Sequence, residues 1–137
     1  MMAKFLIPLA LALNANGATA QLTQFNLECV GTNSNIKDGV KKTLPWRTRF
    51  RIDLLRRVYC IDECRTLLDI YSITANEITL RQFESAALFD TEIVNRMTGG
   101  YIQLSGTKPP VISTDEFNNI SAKCDPEPFT GLPQQRF

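Results

Sequence analysis

The chain has 137 residues, with 15 basic and 14 acidic side chains and no histidine. Because the charges nearly cancel, the composition gives no reason to expect a nucleic acid as the partner. The lack of histidine removes the usual general base, the Ser-His-Asp and Cys-His catalytic arrangements and the commonest metal ligand. We therefore expect no metal or other cofactor.

The first twenty residues have the three-part layout of a secretory signal. Lys4 gives a short cationic start, Phe5–Leu13 is an apolar run, and Ala18–Ala20 has the small-x-small form that a signal peptidase accepts. We expect cleavage before Gln21 and export into an oxidising compartment. The apolar run is shorter than the roughly 20 residues that span a bilayer, and no later segment is more apolar, so we expect no membrane anchor.

The first two predicted strands differ in the clarity of their patterns. Phe25–Val30 alternates apolar and polar residues, which predicts a strand, whereas Gly31–Gly39 is rich in Gly, Asn, Ser and Asp, which predicts a loop. Between Trp46 and Leu54 the apolar residues occupy even-numbered positions, and three arginines and an aspartate occupy the odd-numbered ones. Because successive strand side chains point to opposite faces, we predict a strand with one face in the core and a charged row on the other.

The middle of the chain predicts further short strands. Arg56–Cys60, Leu67–Ile73 and Glu77–Arg81 are rich in β-forming residues or alternate in polarity, and polar connections separate them. Residues 82–90 are ambiguous, since their apolar residues fit either a short amphipathic helix or a loop.

A hairpin and a proline-rich tail complete the pattern. Thr91–Arg96 and Tyr101–Ser105 predict two strands joined through Met97–Gly100, because paired glycines supply the positive φ values of tight turns. Consecutive prolines end that hairpin at Thr107–Pro110, and Asp125–Phe137 predicts an extended or disordered tail. The sequence therefore predicts an all-β fold, a single antiparallel meander over residues 21–124 that forms a curved sheet or a partly closed small barrel.

Four cysteines, an even number in an oxidising compartment, predict two disulfides. We predict the pairs Cys60–Cys64, which closes a tight loop, and Cys29–Cys124, which clamps the first strand to the last segment. A redox-active pair is one alternative, but Cys60 and Cys64 enclose three residues rather than two, and the acidic ones among them would raise the thiol pKa values. A zinc site is the other alternative, but without histidine it would need four thiolates.

Arg47, Arg49 and Arg51 form the most conspicuous surface feature that the sequence predicts. At every second position of a strand they would lie roughly 7 Å apart. That spacing could grip successive anionic groups on a glycan, a lipid headgroup or an acidic protein loop. The alternative is a solvent-facing row that pairs with acids such as Asp69 or Glu92 on neighbouring strands.

Catalytic motifs are missing from the sequence, which contains no nucleophile elbow, phosphate-binding glycine loop or dinucleotide fingerprint. Catalysis by two carboxylates, as in glycoside hydrolysis, remains an alternative. Its candidates are Asp53, Asp69, Glu77 and Glu92. The alternation of side chains along each predicted strand places all four on the outward face. Solvated acids are the simpler interpretation, so we expect a protein that is not an enzyme.

Several short motifs resemble a group of small secreted proteins common in Gram-negative bacteria. They are Cys29–Gly31, Arg49–Asp53, the loop from Cys60 to Cys64, the hairpin Asn95–Tyr101, and a late cysteine near Pro and Phe. No activity is attached to that group, so the resemblance implies a periplasmic location and no functional residue. The disulfide-clamped β architecture is also similar to that of small periplasmic lysozyme inhibitors, although no inhibitor motif matches.

Together these features predict a small secreted β-domain protein with a non-catalytic binding or structural role in the periplasm. One alternative is an inhibitor of a cell-wall hydrolase or protease, and another is a small carboxylate-dependent hydrolase. The partners that we expect are an anionic glycan, a lipid headgroup or another protein, and not a nucleic acid.

Overall fold

The computed structural model describes residues 22–108 and 116–133. The predicted signal segment, residues 1–20, lies outside the described residues. Nine strands follow one another along the described chain: β1 (Gln24–Lys37), β2 (Val40–Asp53), β3 (Val58–Ile61), β4 (Leu68–Asp69), β5 (Ser72–Ile73), β6 (Glu77–Glu84), β7 (Leu88–Asn95), β8 (Gly100–Thr107) and β9 (Glu116–Glu127).

The nine strands form one antiparallel sheet in the order β4-β3-β2-β1-β9-β8-β7-β6-β5. The sheet curls into a half-barrel, which confirms the predicted fold class. One end of the barrel is closed by the short segment that holds β4 and β5. There the Ile70 N–H donates to the Arg57 carbonyl at 2.9 Å, and the Tyr71 N–H donates to the Leu80 carbonyl at 3.4 Å. That segment therefore joins the two borders of the sheet at this end.

The core fills the closed end. Its largest fully buried side chains include Phe50, Ile52, Tyr59, Ile78 and Tyr101. Within the described ranges, no helix is long and apolar enough to cross a membrane.

Both predicted cysteine pairs lie at disulfide distance. Cys29 on β1 faces Cys124 on β9 across the ladder, with Cα atoms 4.0 Å apart. Cys60 and Cys64 close the turn after β3, with Cα atoms 4.9 Å apart. The long pair links two central neighbouring strands across 95 residues of sequence.

The predicted loop at Gly31–Gly39 is wrong, because β1 continues to Lys37 and only Asp38 and Gly39 turn the chain. These two residues have φ values of 50° and 75°, as a tight hairpin requires. The strand was missed because its residues beyond Gly31 are mostly polar on both faces, so the apolar alternation that marks a half-buried strand is lost.

Residues 82–90 are neither a helix nor a loop but the end of one hairpin. The strand β6 runs to Glu84 and β7 begins at Leu88, with a turn at Ser85 held by the Leu88 N–H donating to Ser85 Oγ at 3.0 Å. The next hairpin, between β7 and β8, is confirmed, and Gly99 supplies its positive φ of 73°.

The last strand extends past Cys124 to Glu127, so residues 125–127, which the sequence assigned to the tail, belong to the sheet. Pro126 is tolerated because β8 begins at Gly100, opposite Lys123, so this stretch of β9 has no neighbour on the β8 side. The residues that follow return to the outer surface, where Asn26 Nδ2 donates to Thr130 Oγ1 at 2.9 Å. Residues 134–137 of the predicted tail lie outside the described part.

Candidate functional site: the concave groove

The inner face of the half-barrel changes character along its strands. Towards the closed end it presents core residues such as Phe25, Leu27 and Phe50, which are at most 8% exposed. Because side chains on one face recur at every second position, the register places Asn33 and Asn35 of β1 on that same face nearer the open end. The inner surface is therefore apolar at one end and more polar, although mixed, at the other.

An aromatic pair marks the boundary between the two parts. Trp46, Gly31, Ala122 and Tyr101 lie side by side on β2, β1, β9 and β8. The Trp46 and Tyr101 rings stack with centroids 5.1 Å apart and planes 8° apart. A Cβ on Gly31 would lie 2.0 Å from the Ser121 carbonyl oxygen. The absence of a side chain on Gly31 and the small one on Ala122 let the two rings meet across the intervening strands.

Beyond this pair, most side chains that line the inner face can form hydrogen bonds, although Leu44 and the buried Ile120 lie among them. We call this surface the concave groove and define it by six residues: Asn33, Asn35, Trp46, Gln103, Ser105 and Asn118. A pocket of about 350 Å³ lies near its open end, lined by Asn35, Ser105 and Asn118 together with the apolar side chains of Phe83, Leu88 and Phe89. The groove is open because β2 before Thr48 has no second neighbouring strand within the described ranges.

One wall of the groove is a charged network. Arg81 Nη1 donates to Asp90 Oδ2 at 2.9 Å, and Arg81 Nε lies 3.4 Å from Glu92 Oε2. The Tyr101 hydroxyl donates to Glu92 Oε1 at 2.5 Å, and Gln103 Nε2 donates to Asp90 Oδ1 at 3.2 Å. The guanidinium is thus held between two carboxylates, although the buried Glu92 Oε2 makes an ion pair with Arg81 and no hydrogen bond in the described chain.

Burial sets the ionisation of this network. Burial raises the pKa of Glu92 above its ordinary value, and the hydrogen bond from Tyr101 and the charge of Arg81 oppose that shift only in part. Burial also raises the pKa of Tyr101, and the nearby Glu92 adds to the effect. The hydrogen bond with Asp90 raises the pKa of Arg81, which therefore stays a cation.

Two of the four candidate carboxylates are buried and not solvated as expected, and one of them, Glu92, faces inward. Glu92 is 3% exposed because it lies on the inner face, where polar residues replace the core. Asp53 is 1% exposed because the turn after β2 folds over it, and its carboxylate accepts from Gln24 Nε2 and the Arg56 N–H. Burial raises the pKa of Asp53, but these hydrogen bonds outweigh it and hold that pKa below its ordinary value. Asp69 is exposed and Glu77 is half-buried.

The structure brings Arg47, Arg49 and Arg51 together on the outer face of β2, as the alternation predicts. Arg47 and Arg49 pair with Glu28 on β1, and Arg49 Nε also lies 3.7 Å from Glu127 Oε2; neither arginine pairs with Asp69 or Glu92. Arg47 Nε and Arg49 Nε donate to the two carboxylate oxygens of Glu28 at 2.5 and 3.0 Å. The hydrogen bond from Arg47 holds the pKa of Glu28 below its ordinary value, although partial desolvation works against it.

The third arginine of the row is partly covered. Arg51 Nη1 donates to the Gly131 carbonyl at 3.3 Å, and Arg51 Nε is buried without a hydrogen-bond partner in the described chain. The row is therefore a partly neutralised outer surface and not a set of three free guanidinium groups.

A second pocket, of about 250 Å³, opens at the closed end of the barrel. Core side chains such as Leu27, Ile78 and Val94 line it, together with Met97 at the rim. Ligand sites usually add a few converging polar groups to an apolar lining. The polar side chains in this lining are Asn95 and Arg96, so the concave groove is the richer of the two in groups that could orient a ligand.

The described residues contain no group of three or more His, Cys, Asp or Glu side chains arranged to hold a metal ion. Comparison of the chain with protein-family models, curated proteins and solved structures gave no match. The sequence signals that point to the groove are the isolated Trp46 and the polar stretch after Gly31, whose composition predicts a loop.

Proposed function

We propose that the protein is a secreted, periplasmic β domain that binds a ligand without catalysis, and that the concave groove is its binding surface. The observation that carries this proposal is that the inner face becomes rich in hydrogen-bonding side chains beyond Trp46, although the core residue Ile120 still lies among them. A fold that only needed stability would continue its apolar core or close the barrel, because buried apolar area is the main source of stability.

The groove also meets the physical requirements of a binding site. It is concave, rigid strands carry its side chains, and several of those side chains keep free donors and acceptors. Asn33 Oδ1 is buried and has no hydrogen-bond partner in the described chain. A buried, unpartnered polar atom is unfavourable unless a ligand or water completes it.

Intrinsic fluorescence tests this proposal directly, because Trp46 is the single tryptophan in the chain and lies in the groove. The purified protein is titrated with neutral hexasaccharides, with inositol hexaphosphate and with an uncharged extended peptide. We expect a saturable change with one of these ligand classes, weakened in Asn118→Ala and retained in Asn119→Ala. Asn119 is the matched control because it is the next residue on β9 and faces outward. No saturable change with any class, or equal weakening in both variants, refutes the proposal.

The location is tested separately in cells that express the full chain. We expect periplasmic protein that begins at Gln21 and whose non-reduced peptides contain Cys29 joined to Cys124. Unprocessed protein confined to the cytosol refutes the proposed export.

A small carboxylate-dependent hydrolase is the second candidate, because Asp90 and Glu92 lie on one wall of the groove. Burial raises the pKa of Glu92, which suits a general acid. Against this candidate, Glu92 is 3% exposed and its carboxylate is engaged with Tyr101 and Arg81. Release of shorter sugars from the same hexasaccharides, abolished in Glu92→Gln, would establish the hydrolase in place of the binding protein.

A further inference from the structure

We infer that the ligand of the concave groove is a neutral oligosaccharide. The inference rests on the proposed binding function and adds the chemical class of the ligand. Four observations carry it: the kind of polar groups in the groove, the pairing of its charges, the aromatic pair at its inner end, and the protected edge of β2.

The polar groups are mostly amides and a hydroxyl. Asn33, Asn35, Ser105 and Asn118 make no side-chain hydrogen bond within the described part of the chain. Each amide carries both donors and acceptors, and serine can act as either. A sugar hydroxyl is likewise both donor and acceptor, so a row of amides matches a ligand that presents many hydroxyl groups.

The charges in the groove are mostly paired with one another. Arg81 is held between Asp90 and Glu92, and at the open end Lys37 Nζ lies 2.8 Å from Glu116 Oε1. Lys42, at the rim on β2, is the remaining cation that the register places on this face among the described strands. A strongly anionic or cationic ligand would therefore find little unbalanced charge, whereas a neutral polar ligand would not disturb these pairs.

The aromatic pair supplies the apolar part of the site. Trp46 covers the buried Tyr101 and stays partly exposed at the inner end of the groove. An aromatic ring offers a flat, weakly polar surface, and a sugar ring has faces of C–H groups between its hydroxyl-bearing edges. Amides next to such a ring therefore suit a ligand with alternating apolar faces and polar edges.

The competing ligand is an extended peptide, which would bind by adding a strand to the edge of β2. Several features of that edge disfavour strand addition. The Arg49 N–H donates to Asp62 Oδ1 and its carbonyl accepts from the Asp62 N–H, so the backbone of Arg49 points away from β1. Pro45, four residues earlier, points the same way and offers no N–H to an added strand. Lys41 and Lys42 lie on the same stretch, and both proline and lysine discourage strand addition at an edge.

The test uses Trp46 fluorescence with cellohexaose, chitohexaose and maltohexaose as neutral probes. Inositol hexaphosphate serves as the anionic probe, and an uncharged β-forming peptide serves as the strand probe. We expect saturable binding of at least one hexasaccharide. Asn118→Ala should weaken that binding about five- to tenfold, as the loss of one hydrogen bond would, and Asn119→Ala should leave it unchanged.

Two failures are distinguishable. Saturable binding of the peptide or of inositol hexaphosphate, with no response to any hexasaccharide, overturns the carbohydrate assignment and leaves the binding function standing. No response to any probe overturns both. Circular dichroism of Asn118→Ala checks that this variant folds. Ser105→Ala, on the neighbouring strand, is a second groove variant that should weaken binding of the same hexasaccharide.

Discussion

Gly31→Ala is expected to destabilise the protein more than any conservative glycine substitution elsewhere in its sheet. The added Cβ would lie 2.0 Å from the Ser121 carbonyl oxygen and 2.5 Å from the Ala122 Cα. Both are backbone atoms, so β1 and β9 would have to separate. Overpacking of this kind costs about 1–3 kcal/mol.

The same substitution disturbs the aromatic pair. The stacked rings of Trp46 and Tyr101 meet across the position of Gly31, and such pairs contribute about 0.5–1.5 kcal/mol. Together the two effects predict a loss of roughly 1.5–4.5 kcal/mol in the free energy of unfolding. Urea denaturation followed by circular dichroism measures it, and near-ultraviolet dichroism reports the loss of stacking.

Gly100→Ala is the matched control. Its nearest neighbour would be Thr98 Oγ1 at 3.2 Å, a side-chain atom that can move. We expect a change of about 0.5 kcal/mol or less, as at most surface positions. If Gly31→Ala is as stable as Gly100→Ala, the close approach of β1 and β9 and the packing of the aromatic pair are both wrong.

Three further predictions concern the disulfide, the buried acid and the arginine row. Replacing Cys29 and Cys124 by alanine removes a 95-residue cross-link and should lower the free energy of unfolding by about 4–5 kcal/mol in urea denaturation; a loss under about 1 kcal/mol argues against the clamp. The pKa of Glu92 is raised above its ordinary value of 4.5 in the folded protein. The contribution of Glu92 to the free energy of unfolding is therefore complete below pH 4.5 and is lost as pH rises through the folded-state pKa. The stability of Glu92→Gln relative to the wild type should therefore increase with pH from 4.5 upward, and a pH-independent difference contradicts the burial of this acid. Glu28 has a lowered pKa, so its contribution is present above its ordinary value and is lost on acidification; in Arg47→Gln/Arg49→Gln its pKa, followed by NMR, should return towards that ordinary value, and an unchanged pKa refutes the pairing.

The elements with a two-residue apolar period were predictable from the sequence. Trp46, Phe50 and Ile52 share one parity and lie on the inner face, because a half-buried strand demands that alternation. The cysteine pairs followed from their spacing and their number. These features depend on local pattern, which a single sequence displays.

The polar half of β1 could not be predicted, because it lacks such a local pattern. Asn33 and Asn35 lie on the inner face of a strand, but β1 carries no apolar side chain on that face beyond Cys29, so no apolar signal distinguishes it from a loop. The partner of the arginine row, Glu28, could not be predicted either, because strand order decides which acid lies beside Arg47 and Arg49. The groove itself needs the register of four strands, β2, β1, β9 and β8, which no local pattern supplies.

The position of the bound ligand is the most direct test of the account. In an NMR titration with the hexasaccharide that binds most tightly, the side-chain amide signals of Asn35, Gln103 and Asn118 should shift together and saturate. The Nε signals of Arg47 and Arg49, on the outer face, should stay in place. Saturating shifts at the arginines with unmoved groove amides would contradict the assignment of the concave groove as the binding surface.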